Sequence, residues 1–188
     1  MTHIFFVRHA QPEADWQDDR TKPLTPRGVE DSKKVTAALA GIRIDAFLAS
    51  PYKRSVDTIA ECAAVRGMPV RTDERFRERR HGGGDYAQFL EQRWRDFSFC
   101  EPGGETLGSV SARNVEALQE VLAAHEGENI VIGTHGTALS TILNYYDPAF
   151  GCAEFVRIWH TMPYIVRLDF DGPRYLGRTE VLWVDSEH

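Results

Sequence analysis

An α/β fold built on parallel strands follows from three features of the 188-residue chain. The run Ile4-Phe5-Phe6-Val7 is apolar and strand-favouring without alternation, the pattern of a strand buried on both faces. Asp45-Ala46-Phe47-Leu48-Ala49 and Asn129-Ile130-Val131-Ile132-Gly133-Thr134 are two more buried strands. Each is followed by a helical signal, and successive strand-to-helix units imply right-handed parallel crossovers.

Composition narrows the function. Hydrophobic residues at 42% and charged ones at 27% fit an ordinary globular domain, and the length fits a single unit spanning 1–188. A net charge of −6 argues against a general nucleic-acid or anionic-membrane binder, so any anionic ligand must be held by a local cluster of arginine. Cys62, Cys100 and Cys152 are scattered and odd in number, which suggests neither a disulfide framework nor a zinc site and fits a reducing cytoplasm. The first strand begins almost at once and no apolar run reaches membrane-spanning length, so neither a signal peptide nor a membrane anchor is expected.

The elements can be justified in order. The first strand stops at Arg8-His9, and Pro12 to Pro23 reads as a polar loop over its end. Thr25-Pro26 supplies a cap and a first-turn proline for a helix with Val35, Leu39 and Ile42 on its apolar face. Ser50-Pro51 repeats that device for a helix through Ile59 to about Val65. Met68 to Thr72 is expected as a short strand, Asp73 to Asp85 as an irregular surface loop, and Tyr86 to Phe97 as a short helix. Leu107, Val110, Leu118, Val121 and Leu122 keep helical spacing, so one amphipathic helix is expected from Thr106 to about Ala124. A helix from Thr137 to Tyr145 follows the strand that ends at His135. In the tail, Phe155 to His160, Tyr164 to Phe170 and Tyr175 to Val184 read as strands, the last two joined by the hairpin signal Asp171-Gly172. These apolar tail strands leave open either a homodimer interface or closure of the sheet edge.

Ligands of open α/β sheets sit at the carboxyl ends of the strands. Arg8 and His9, Arg54 and His135 all fall at such ends and converge if their strands are neighbours. Two arginines and two histidines suit a phosphate monoester: the guanidinium forks hold the phosphoryl oxygens, and a neutral imidazole can attack phosphorus. Cationic neighbours favour the neutral form of histidine, and the second histidine would stabilise the equatorial oxygens. No metal or other cofactor is required. Glu78, in Arg75-Phe76-Arg77-Glu78-Arg79-Arg80, is the chosen proton donor to the leaving group, against the plainer reading of a surface glutamate paired with its arginine neighbours.

Six segments in order resemble the histidine phosphatase superfamily, the phosphoglycerate-mutase-like proteins. They are Val7-Arg8-His9-Ala10-Gln11, Leu24-Thr25-Pro26-Arg27-Gly28, Ala49-Ser50-Pro51-Tyr52-Lys53-Arg54, Phe76-Arg77-Glu78, Gly103-Gly104-Glu105-Thr106 and Gly133-Thr134-His135-Gly136. The resemblance implies a three-layer α/β/α sandwich with a mostly parallel sheet and one antiparallel strand. It also implies a phosphohistidine intermediate on His9, with Glu78 as proton donor and Arg8, Arg54 and His135 around the phosphate. Gln11, Thr106 and Gly136 are placed there with them, Thr106 also being suited to cap a helix.

Departures from the family pattern lie just after the nucleophile, where Pro12 and Asp15 stand in place of the usual hydroxyl and amide residues. Pro12 cannot donate to phosphate and an ionised Asp15 would repel it, so a rearranged loop with altered selectivity is expected. The short stretch from Glu78 to Phe97 favours a phosphatase over a phosphoglycerate-type mutase, and a phosphate-sensing regulator is the non-enzymatic alternative. The substrate is expected to be a small phosphorylated metabolite, with the pocket lip built from Pro12 to Arg20, His81 to Phe97, Trp159 and His160. His81-Gly82-Gly83-Gly84 is similar to an esterase oxyanion loop, but no Gly-x-Ser-x-Gly accompanies it, and it is read as a flexible loop. His3, His125, His160 and His188 are expected at the surface.

Overall fold

The computed structural model describes residues 1–186, so His188 lies outside the described residues. Strands β1 (Thr2–Arg8), β2 (Ala46–Ala49), β3 (Val70–Thr72), β4 (Asn129–Thr134), β5 (Thr161–Asp171) and β6 (Arg174–Asp185) form one sheet in the order β3-β2-β4-β1-β5-β6. β1 to β4 run parallel to one another, and β5 is antiparallel to both β1 and β6. One strand thus opposes the other five, as expected.

The helices are α1 (Pro26–Ala38), α2 (Lys53–Ala64), α3 (Leu90–Arg95), α4 (Leu107–Ala124), α5 (Gly136–Tyr146) and α6 (Cys152–Arg157). β1 shows why they form two outer layers. Its alternate side chains point to opposite faces, and Phe5 and Val7 pack with Val35, Leu39, Ile59 and Ala63 of the α1 and α2 layer. Ile4 and Phe6 pack with Leu118, Leu139, Ile142 and Phe155 of the α4, α5 and α6 layer. All four residues are at most 2% exposed, and burying such a side chain contributes about 1.5–3 kcal/mol.

Several local expectations are corrected. Phe155 to His160 is not a strand: its first residues lie in α6, and Phe155 and Ile158 are buried at helical spacing. A short apolar run cannot by itself tell buried helix from strand. β3 is shorter than expected, starting at Val70. Asp73 to Asp85 is no surface loop in its first part, because Phe76, Glu78 and Arg79 are buried, and Glu74–Phe76 forms a 3-10 turn. α2 starts at Lys53 without a side-chain cap, which frees Ser50 for another partner. His160 is exposed, whereas His3 and His125 are half-buried against Asp169 and Glu128.

The loop after β1 is closed at its base. Pro12 bridges Leu24, Glu13 N–H donates to the Pro23 carbonyl, and Thr25 N–H to that of Gln11. Thr25 caps α1 by accepting from Gly28 N–H at 2.9 Å. Gly28 is required there because a Cβ would collide with the Gln11 carbonyl oxygen. Gly28→Ala should therefore cost about 1–3 kcal/mol in denaturant unfolding, by forcing backbone to shift beside the Arg8 to Gln11 segment; an unchanged midpoint would show that α1 is free to move away.

Candidate active site

The parallel pairing of β1 with β4 sets Arg8 beside Thr134. The next residue on each strand is a histidine, and the two rings stand edge to face with centroids 5.2 Å apart. β2 lies on the other side of β4, with Ser50 N–H donating to the Gly133 carbonyl. Arg54, in the first turn of α2, therefore reaches the same place.

His9 is 7% exposed, and its Nδ1 lies 2.8 Å from the Ala10 carbonyl oxygen. A carbonyl only accepts, so Nδ1 carries the proton and Nε2 keeps its lone pair. Arg54 Nε donates to that Nε2 at 3.3 Å. Burial, then the charges of Arg54 and Arg8, push the His9 pKa well below the usual 6.5. Thr58 steadies the segment by accepting from Ala10 N–H at 2.9 Å.

His135 is fully buried at the start of α5, and its Nε2 lies 2.7 Å from Ser50 Oγ. The Ser50 hydroxyl also accepts from Tyr52 N–H at 3.3 Å, so its own proton is available to His135 Nε2. The ring proton then sits on Nδ1, a buried atom with no partner among the described residues. That is a donor suited to an arriving anion. Burial, then Arg54, holds this ring neutral as well.

Arg8 is buried and anchored through Nη1 to the carbonyls of Ile158, at 2.5 Å, and Thr161. Desolvation lowers its pKa to about 10 against the opposing pull of Glu78 and Tyr86, and it remains cationic near neutral pH. Its guanidinium lies flat under Gly136, where a Cβ would come within 3.1 Å of Nη2. Gly136 thus makes room for Arg8.

Glu78 is buried, and the surface reading of it is overturned. Its Oε1 accepts from the N–H groups of Arg79 at 2.8 Å and Ala138 at 3.0 Å, and its Oε2 from Thr137 N–H at 3.0 Å. The neighbouring arginines are engaged elsewhere. Arg77 and Arg113 bind Glu105, while Arg79 and Arg93 bind Glu101. Burial works against those two carboxylates, yet hydrogen bonds from Arg113 and Arg77 hold Glu105 at about 2, and Arg79 does the same for Glu101. Glu78 is left against the first turn of α5 with Arg8 beside it in one cavity.

Two expected site residues are not joined to this cluster by any described contact. Thr106 caps α4 by accepting from Ser109 N–H at 3.0 Å, and the Gln11 side chain accepts from Thr25 Oγ1 at 3.0 Å. Asp15 is exposed in a turn. The carboxylate that does reach the site is Asp19, whose backbone oxygen lies 2.6 Å and whose Oδ1 lies 3.0 Å from Arg54 Nη1, with Oδ2 3.3 Å from Nη2. Nothing local marked Asp19 among its acidic loop neighbours. Ser50, read as a helix start, and Tyr52, which stacks edge-on with His135 at 5.2 Å, stood in the segment Ala49 to Arg54 but were given no place at the site.

The family model described as "Histidine phosphatase superfamily (branch 1)" matches residues 4–179. The chain is 29% identical over 150 residues to phosphoserine phosphatase 1 of Hydrogenobacter thermophilus, covering 72% of this chain and 71% of the other. It is 28% identical over 205 residues to phosphoglycerate mutase-like protein 4 of Arabidopsis thaliana, covering 98% and 86% respectively. The solved phosphoserine phosphatase of Entamoeba histolytica in complex with 3-phosphoglyceric acid superposes with a TM-score of 0.78 at 19% identity, covering 97% of this chain and 96% of that one.

Two buried neutral histidines bear on stability. Their folded pKa values lie below 6.5, so the unfolded chain takes up protons that the folded protein refuses. Stability is full above about pH 6.5 and falls as pH drops below it. Glu101 and Glu105 act in a separate, more acid window, losing their contribution as pH falls below their ordinary 4.5 towards about 2. Between pH 7 and 5.5 the unfolding free energy should fall by about 1 kcal/mol for each of these two histidines, His81, also held below 6.5 by burial, adding to the slope, and His9→Asn should remove about a third to a half of it. Denaturant titrations across that range check this, and a flat profile would mean that the rings titrate normally.

Proposed function

Since the chain belongs to branch 1 of the histidine phosphatase superfamily and is a phosphatase of that family, we propose that it hydrolyses small phosphomonoesters without a metal, through a phosphohistidine on His9. The observation that carries this reading is the state of His9: neutral, with Nδ1–H held by the Ala10 carbonyl and the Nε2 lone pair facing Arg54. The phosphoserine phosphatase and phosphoglycerate mutase-like relatives support a phosphorylated metabolite as substrate. Three free cysteines support a reducing compartment, and among the described residues no helix is long and apolar enough to cross a membrane.

In the first step the Nε2 lone pair forms a bond to phosphorus as the bond to the ester oxygen breaks. Arg8, Arg54 and His135 Nδ1–H neutralise the charge on the equatorial oxygens. The leaving oxygen takes a proton from Glu78. Both lone pairs of Oε1 are occupied by amides, whereas Oε2 has one such bond, so Oε2 is the oxygen that carries the proton. In the second step Glu78 takes a proton from water, whose oxygen attacks phosphorus. Inorganic phosphate leaves and the His9 lone pair is restored.

His9→Ala should lower turnover of a generic aryl phosphate in chelator at least about a thousandfold and abolish acid-quench trapping of phosphoenzyme. Unchanged activity, or strict metal dependence, would sink the mechanism. In the same assay Glu78→Gln should harm esters of poor leaving groups most, because good ones need little protonation.

Phosphate must also displace Asp19 from Arg54, a pair whose acid is 48% exposed and whose base is 5% exposed. Asp19→Asn is expected to tighten competitive inhibition by inorganic phosphate about two- to fivefold, the equivalent of the ~0.5–1 kcal/mol that a half-exposed pair contributes. Weaker inhibition would instead make Asp19 a support for Arg54.

A further inference from the structure

The cavity that holds Arg8 and Glu78 measures about 330 Å³ in all, and its side away from them is a wall of aromatic rings. His81 stands edge-on to Tyr86 at 4.9 Å, Tyr86 to Trp159 at 5.2 Å, and Trp159 to Phe155 at 5.3 Å. Resting on the phosphatase reading, we propose that this wall is the leaving-group subsite and that it selects phosphomonoesters of uncharged aromatic or bulky apolar alcohols over those of carboxylated ones.

Charge carries the first half of the argument. Among the described residues lining this cavity the guanidinium groups are limited to Arg8, which the phosphoryl group occupies, burial holds His81 below its ordinary 6.5, and the one carboxyl group is Glu78, which becomes a carboxylate as it gives its proton to the leaving oxygen. A leaving group bearing a carboxylate would face Glu78 and apolar rings with no guanidinium to receive it. The nearby arginines are unavailable for that task. Arg79 and Arg93 are 1% exposed and committed to Glu101, and Arg93 also donates to the Tyr86 carbonyl at 2.5 Å.

Shape carries the second half. An apolar cavity of roughly 150 Å³ holds one benzene, so about 330 Å³, shared with the phosphoryl group at the Arg8 end, is room for a single ring. The wall is braced in two places. Tyr86 Oη lies 3.3 Å from Thr137 Oγ1 beside the Glu78 carboxylate, and Arg93 packs over the Tyr86 ring at 4.4 Å. That guanidinium already covers one face of Tyr86, which disfavours a second cation there and leaves a neutral ring as the better occupant.

The test is calorimetric titration with non-hydrolysable phosphonates of matched length: 2-phenylethylphosphonate, 2-carboxyethylphosphonate and 2-(trimethylammonio)ethylphosphonate, beside inorganic phosphate. The phenylethyl compound should bind at least tenfold more tightly than the other two phosphonates. Trp159→Ala should erase most of that ratio while leaving inorganic phosphate binding unchanged, and Tyr86→Ala provides the same reading if the first variant fails to fold. Equal or tighter binding of the carboxylated or cationic compound, or a ratio untouched by both variants, would overturn the proposal. Turnover of the corresponding esters is read separately. Loss of all turnover with the binding preference intact would count against the hydrolase reading and not against the subsite.

Discussion

The site rests on the register of one strand pair. Because β1 and β4 run parallel with Arg8 opposite Thr134, the two residues that leave the sheet together are His9 and His135. A slip of one residue would turn every side chain of β1 to the other face of the sheet. It would expel Phe5 and Val7 from one layer and Ile4 and Phe6 from the other. Core packing therefore enforces the alignment on which the proposed chemistry depends.

Around that pair the carboxylates are sorted by partner. Glu101 and Glu105 absorb Arg77, Arg79, Arg93 and Arg113, leaving the Glu78 carboxylate to the backbone amides of Arg79, Thr137 and Ala138. A glutamate in an arginine-rich segment escapes its own neighbours because the neighbours are bound by acids from a distant segment. The same sorting ties Arg79 and Arg93 to Glu101, with Arg93 fixed over one face of Tyr86 as it does so.

Much of this was legible along the chain. Unalternated apolar runs marked the central strands, because a strand covered on both faces leaves no room for polar residues. Thr25-Pro26 and Thr106 marked helix starts, because their hydroxyls accept free amides at those positions. The misreadings share a cause. Arg75 to Arg80 looked like a solvated loop because, Asp73 apart, the acids that bind its arginines, Glu101, Glu105 and Glu120, lie more than twenty residues away. Ser50 looked like a helix cap because His135, its partner, comes from another strand. Asp15 drew suspicion by position, whereas the loop fold delivers Asp19 to Arg54.

By itself, then, the sequence determined the α/β class, the strands that end in Arg8-His9 and His135, and the set of groups from which the proposed phosphate site is assembled. Those are properties of local pattern and residue type. The tautomer of His9, the proton left on His135 Nδ1, the burial of Glu78 against α5, the hold of Asp19 on Arg54 and the ring wall of Tyr86, Phe155 and Trp159 were decided only by tertiary structure. Each depends on a partner far away in the chain, and no local pattern encodes a distance between segments that meet only when the sheet is formed.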